Sequence, residues 1–298
     1  KYALEHDPCL KGAICRNEMT CQIDIMKKVP WKRRGVQMTD TDMNNLSLYL
    51  EKNYGLTSDR VIAKAVDIVA NDNSFHPIID LLESLTWDGT PRIRNMLTHF
   101  FGASDPEYSG EIMKMHMLAA ISRLYDPGKK YDIMLCLVGG QGTGKSTFFK
   151  YLAIRDEWFT DDVKRLDDKR VYEYLQGHWI VEMSEMNAVA NARSIEETKS
   201  FLSRQKDTYR IPYERRAEDR YRQCVFCGTS NDLAFLPFDR TGNRRFGPVR
   251  VCPEKAETTI YSNEKESREY ILQAWAEAME IYRSGDFSLT FSPAMEDY

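Results

Sequence analysis

The chain has 298 residues, enough for one large or two ordinary domains, and its 42% apolar content supports a sizeable core. A formal net charge of −4 excludes a global basic field, so any nucleic-acid contact has to come from a local patch. No apolar run approaches the roughly 18 residues a membrane span needs, and the polar opening at Lys1 carries no secretory signal, so a cytoplasmic protein is expected.

A start at Lys rather than Met gives the expectation of a fragment, with something missing upstream. Residues 1 to about 35 read as irregular or β-like, with partial alternation from Ile14 to Ile25. Lys27, Lys28, Lys32, Arg33 and Arg34 form a small basic cluster, read as a solvated turn ahead of a DNA contact. Four helices are then expected. The first is capped within Thr39 to Thr41 and ends near Gly55. The second starts after Ser58 and the third at Pro77. The fourth follows the turn Trp87-Asp88-Gly89-Thr90-Pro91 and contains Ile93, Met96, Leu97 and Phe100. Nothing in this block has catalytic spacing, which suggests a helical accessory or oligomerisation domain over residues 1–105. Another helix, marked by Ile112, Met113, Leu118, Ile121 and Leu124, closes at Asp126-Pro127-Gly128.

The apolar run Ile133 to Val138 is short enough for a strand buried on both faces. It ends in Gly139-Gly140-Gln141-Gly142-Thr143-Gly144-Lys145-Ser146, which satisfies the pattern G-x-x-x-x-G-K-[ST], and a helical stretch begins there with Thr147, Phe148, Phe149 and Leu152. Glycines let backbone N–H groups approach phosphate oxygens, and the helix points its positive end at the same anion. Lys145 supplies a point charge for the β- and γ-phosphates, and the Ser146 hydroxyl can ligate Mg2+. Strand, loop and helix in this order predict a nucleoside triphosphate site running from Gly139 through Thr147, with ATP and Mg2+ as the expected cofactors.

Hydrolysis needs further parts. Glu182 ends the short apolar strand Trp179-Ile180-Val181 and is placed as a metal-holding acid, with Glu185 just beyond it. The next strand, Cys224 to Thr229, ends in Ser230-Asn231, and Asn231 could bond the γ-phosphate or the attacking water. Arg244 and Arg245 lie in a turn, and either could act as an arginine finger supplied from a second copy of the chain. Between these elements, residues 204–222 carry seven basic residues against four acids. Arg204, Lys206, Arg210, Arg215 and Arg216 interleave there with Tyr209 and Tyr213, the composition of a groove that tracks phosphates and stacks bases; a basic subunit interface is the alternative. The tail from Glu264 has helical spacing through Tyr270, Ile271, Trp275 and Met279. The seven cysteines do not suggest a disulfide framework. Cys224 and Cys227 read as buried thiols rather than metal ligands, because positions i and i+3 of a strand face opposite ways.

Several of these stretches together resemble the virulence-associated protein E family: Phe75-His76-Pro77, Leu85-Thr86-Trp87-Asp88-Gly89, Asp126-Pro127-Gly128, Gly139 to Ser146, Trp179 to Glu185, Tyr209 to Tyr213 and Thr241 to Phe246. The resemblance is specific from about Phe75 to Val251. That family is encoded by phages and mobile genetic islands and is similar to superfamily 3 helicases, AAA+ ATPases that form rings, usually hexamers, around DNA. The resemblance implies an α/β P-loop NTPase core over 106–255, a helical N-terminal domain and a C-terminal helical segment over 256–298. It implies Walker A roles for Lys145 and Ser146, the Walker B role for Glu182, a sensor role for Asn231 and a finger at Arg244 or Arg245. It also assigns the pore hairpin to the region of residues 204–222, and an upstream primase-like domain is common in the family. One departure stands out: Met183-Ser184 separates Glu182 from Glu185, where superfamily 3 enzymes commonly have adjacent acids, so the division of labour between the two stays open. The expected function is an ATP-hydrolysing, ring-forming translocase or helicase on single-stranded DNA, in replication of a phage or mobile element. The alternative is a nucleotide-switched assembly or loader ATPase that does not unwind DNA. Neither a guanine signature N-K-x-D nor L-S-G-G-Q occurs.

Overall fold

A computed structural model of the chain describes residues 1–163, 171–184, 192–209, 218–231 and 245–291. The chain forms two compact units, Lys1–Asp80 and Leu81–Tyr298.

The first unit opens with the short helix α1 (Tyr2–His6) and an antiparallel hairpin of β1 (Ile14–Asn17) and β2 (Gln22–Ile25), with Ile14 opposite Ile25. Helix α2 (Asp40–Tyr54) starts in a capping box between Thr39 and Asp42 and stops at Gly55 in a left-handed conformation, φ 66°. Helix α3 (Asp59–Asp72) lays Ile62, Val66, Val69 and Ala70 against Leu4, Leu10, Ile14, Leu46 and Leu50. Period-3.6 spacing on both helices turns these residues to one side, and their burial forms the unit's core. Within the basic cluster, Arg33 is bound at home. It donates to the carbonyls of Ile25, Val36 and Gln37 and pairs with buried Asp42 at 3.3 Å.

Helix α4 (Pro77–Ser84) spans the division between the units. In the second unit a 3-10 turn (Ile93–Asn95) leads into α5 (Met96–Phe101) and the long α6 (Pro106–Tyr125). The boundary expected near residue 105 therefore lies inside the second unit, because Ile93, Met96, Leu97 and Phe100 are buried there with α6. Strands β3 (Met134–Val138), β4 (Phe159–Thr160), β5 (Ile180–Met183), β8 (Val225–Ser230) and β9 (Phe246–Arg250) form a parallel sheet in the order β4-β5-β8-β3-β9. Helices α7 (Lys145–Leu152), α8 (Val171–Leu175) and α9 (Ala192–Leu202) lie between strands in the chain. Strands β6 (Lys206–Tyr209) and β7 (Glu218–Tyr221) make a separate antiparallel ladder. Every residue of β3, β5 and β8 is buried, as expected of a parallel sheet covered on both faces.

Two polar devices hold this unit in register. Arg123, 1% exposed, donates to the carbonyls of Lys129 (3.0 Å), Tyr131 (2.6 Å) and Cys224 (2.6 Å), tying the entries of β3 and β8 to α6. The C-terminal helix α10 (Glu264–Ser284) sends Glu277 to the backbone N–H groups of Arg92 (2.6 Å) and Ile93 (3.0 Å), capping the 3-10 turn. Its Trp275 packs against Trp179 with the rings tilted by 31° and 4.4 Å between ring centres, and it donates to the carbonyl of Leu152. Cys136, Cys224 and Cys227 are buried free thiols, and the described residues contain no cluster of three or more potential metal-binding side chains. No helix among the described residues is long and apolar enough to cross a membrane.

Candidate functional site

Parallel sheets bind ligands outside the carboxyl ends of their strands, where successive strands diverge. That edge here carries the loop 139–144 after β3, Ser184 after β5 and Asn231 after β8. Gly142 (φ 77°) and Gly144 (φ 86°) both adopt the left-handed conformation that lets the loop turn back on itself. At Gly144 a side chain is excluded twice over, since a Cβ would lie 2.4 Å from Ile260 Cγ2. The loop is tied to β8 by the Gly139 N–H, which donates to the Ser230 carbonyl at 3.1 Å.

Lys145 opens α7 and folds back over the loop, donating from Nζ to the carbonyls of Gly139 and Gly140, both at 2.7 Å. Burial lowers its pKa, opposed by the negative charge of Glu182. The next residue faces the sheet: Ser146 Oγ donates to Glu182 Oε1 at 2.7 Å. Thr229 Oγ1, on the intervening strand β8, donates to the same oxygen at 2.7 Å. Glu182 is fully buried, and its other oxygen, Oε2, has no partner among the described residues. Desolvation raises the carboxyl pKa despite the two hydroxyl donors and Lys145.

Residues 141–147, Ser184, Thr229, Ser230, Asn231 and Tyr261 line a cleft of about 320 Å³ above this cluster. Its polar floor suits an anion at the loop and a hard cation at the Ser146–Glu182 pair. Hydroxyl and carboxylate oxygens are the donors Mg2+ takes, and the remainder of an octahedral shell would come from water and ligand phosphates. The unpartnered Glu182 Oε2 is an acceptor left over for such a shell.

The structure brings together Gly139 to Thr147, Glu182 and Asn231. Glu185 and Arg244 lie outside the described residues. Arg245 sits at the opposite edge of the sheet, just before β9, where its Nε meets Asp132 Oδ2 at 3.2 Å and Ser203 Oγ at 3.0 Å. Met134 pairs with Phe246 and Val138 with Arg250, so the length of a strand separates Arg245 from the cleft of its own chain.

Of the basic stretch, Arg210, Tyr213, Arg215 and Arg216 fall outside the described residues, and Tyr209 ends β6. Arg204 donates to the Tyr172 hydroxyl at 2.8 Å, and Lys206 pairs with Asp219 across the β6–β7 ladder. Arg222, counted among the seven basic residues, is part of the interior. It makes a two-pronged pair with Asp207 (2.6 and 3.0 Å), donates to the Phe201 carbonyl and lies 4.4 Å from the centre of the Phe201 ring. Its charge is matched inside the fold and adds nothing to a surface field.

Sequence reasoning did not single out four cleft residues, Ser184, Thr229, Ser230 and Tyr261. Thr229 had a usable signal, because residues i and i−2 of a strand share a face and Thr229 stands two before Asn231. Tyr261 had none, lying far along the chain in an irregular loop ahead of α10.

Residues 82–298 match the family model for the virulence-associated protein E-like domain. No curated protein matches the chain. Among solved structures, two apo structures of the NrS-1 C-terminal region are similar. One aligns at 16% identity with a TM-score of 0.55, covering 89% of this chain and 65% of that one. The other, spanning residues 305–718 of NrS-1, aligns at 17% identity with a TM-score of 0.50, covering 89% and 64%. The chain thus spans about two thirds of the length of these relatives, and the likeness is one of fold.

Proposed function

Because the chain belongs to the virulence-associated protein E-like domain family, we propose that its second unit is a P-loop ATPase that works as a ring on DNA during replication of a phage or mobile element. The observation that carries the reading is the buried carboxylate of Glu182 held by Ser146 and Thr229 directly beneath the glycine loop.

In this proposal the N–H groups of loop 139–144 and the start of α7 take the β- and γ-phosphates of ATP. Lys145 gives up its two carbonyl acceptors for phosphate oxygens, a short swing that exchanges neutral partners for charged ones. Ser146 and Glu182 would hold Mg2+, which when bound neutralises phosphate charge. Burial keeps water away from Glu182 and strengthens its pull on a cation. Asn231, at the end of β8, orients the attacking water, with Glu182 or Glu185 receiving its proton. Arg245 leaves Asp132 to meet the γ-phosphate in the cleft of a neighbouring copy. DNA would run past the β6–β7 ladder and residues 210–217 that connect it.

One observation favours the second reading, a nucleotide-switched loader: Lys206 and Arg222 are already matched by Asp219 and Asp207, which weakens the basic patch. Hydrolysis assays separate the two. A translocase hydrolyses ATP faster with single-stranded DNA, whereas a loader responds to a protein partner and ignores DNA. Lys145→Ala abolishes hydrolysis in either case, and mixing Lys145→Ala with Arg245→Ala subunits restores part of it if Arg245 acts in trans. Full activity of Lys145→Ala alone would remove the ATPase proposal.

A further inference from the structure

Tyr261 stands at the rim of the cleft, 57% exposed although its neighbour Ile260 is fully buried. The ring is nonetheless held in place. Ile260 packs onto Gly144, and the backbone around it is pinned by Ser267 Oγ, which donates to the Ile260 carbonyl at 3.2 Å. The preceding turn is closed by Ser262 N–H donating to the Thr259 carbonyl at 3.0 Å. The tyrosine hydroxyl lies 3.0 Å from Thr147 Oγ1, which fixes the ring against the first turn of α7.

The direction of the cleft follows from two consecutive residues. Ser146 faces Glu182 and the metal end, while Thr147, one helical step on, faces Tyr261. A triphosphate lying along the loop with its terminal phosphate at Ser146 therefore runs its other end toward Tyr261. The polar groups of the floor serve phosphates and metal; the ring at the rim offers a flat apolar face where a nucleoside would emerge. We propose that Tyr261 is the platform on which the nucleobase stacks, so that the site recognises a nucleoside triphosphate and not a bare polyphosphate. The inference rests on the triphosphate reading of the cleft and deepens it. A π face reads stacking and not hydrogen-bonding edges, so the platform holds adenine and guanine alike.

The test is calorimetric titration of the full chain with MgATP, MgGTP and magnesium tripolyphosphate, using wild type, Tyr261→Leu and Tyr261→Phe. Leucine keeps apolar bulk against Gly144 but has no π face; phenylalanine keeps the ring and loses the hydroxyl. The expected result is an affinity loss of about tenfold for both nucleotides in Tyr261→Leu, the scale of one base–aromatic stack. Tripolyphosphate affinity should be unchanged, which also shows that the loop is intact, and Tyr261→Phe, which keeps the π face and loses only the hydroxyl contact to Thr147, should bind nucleotides closer to wild type than Tyr261→Leu does. Equal weakening of nucleotide and tripolyphosphate, or nucleotide binding insensitive to leucine, overturns the stacking role while leaving the triphosphate site standing. Wild-type protein that binds tripolyphosphate and nucleotides equally also overturns it, and failure to bind any of the three removes both readings together.

Discussion

Thr229 offers the sharpest test of how the buried carboxylate is held. Its hydroxyl and that of Ser146 reach the same Glu182 oxygen at 2.7 Å, and Thr229 is only 7% exposed, so water has little room to replace it. Thr229→Val preserves the shape and removes the donor. A hydrogen bond to a charged acceptor contributes about 1.5–3 kcal/mol, so a loss of about 2 kcal/mol is expected. For a unit of this size that corresponds to a drop of roughly 4–8 °C in melting temperature. In a Glu182→Gln background the same change removes a bond to a neutral acceptor, at a cost of about 1 kcal/mol. Urea unfolding of the four proteins should then give a coupling of about 1 kcal/mol. Thr229→Val that unfolds with wild type, or that costs the same in both backgrounds, would refute the argument that this bond supports a charged, buried Glu182.

Three further outcomes follow from the same geometry. Glu182 has its folded pKa raised above the ordinary glutamate value of 4.5, so its ionisation opposes folding once pH rises past that value. Glu182→Gln should therefore gain stability over wild type as pH climbs from 4.5 towards neutrality, with a constant difference below 4.5, as read from thermal melts across pH. Gly144→Ala should lose about 3 kcal/mol, from left-handed strain and the clash with Ile260 together, and should abolish nucleotide binding in the same titrations. Arg123→Met strands three carbonyls and should lower stability by about 3 kcal/mol or more in chemical denaturation, with Arg123→Lys losing less.

Local chemistry made much of this legible from sequence. Thr39 and Gly55 mark the two ends of α2 because capping needs only neighbours a few residues away. The strand, glycine loop and helix over 134–152 could be read for the same reason, as could the start of α10 at Glu264. What the residues could not reveal was strand order. β8 inserts between β3 and β5, and this alone brings Thr229 to Glu182. Charge counting failed at Arg222 for a related reason: whether a cation is solvated or paired depends on Asp207, fifteen residues earlier and opposed to it only once the β6–β7 ladder forms. Nor could the residues reveal the division into compact units after Asp80, because the helices around Ile93 and Phe100 look the same in sequence whichever unit buries them.

The cap that Glu277 places on the 3-10 turn has a consequence for biosynthesis. Arg92 and Glu277 are 185 residues apart, so at ordinary elongation rates roughly 10–40 s separate their emergence from the ribosome. Throughout that interval the Arg92 and Ile93 amides lack their acceptor, and Trp179 lacks its packing partner Trp275. The sheet can pair before α10 arrives, but the unit closes only with its final helix. A nascent chain stalled before Glu264 would present that uncovered apolar surface to chaperones, or to other stalled chains.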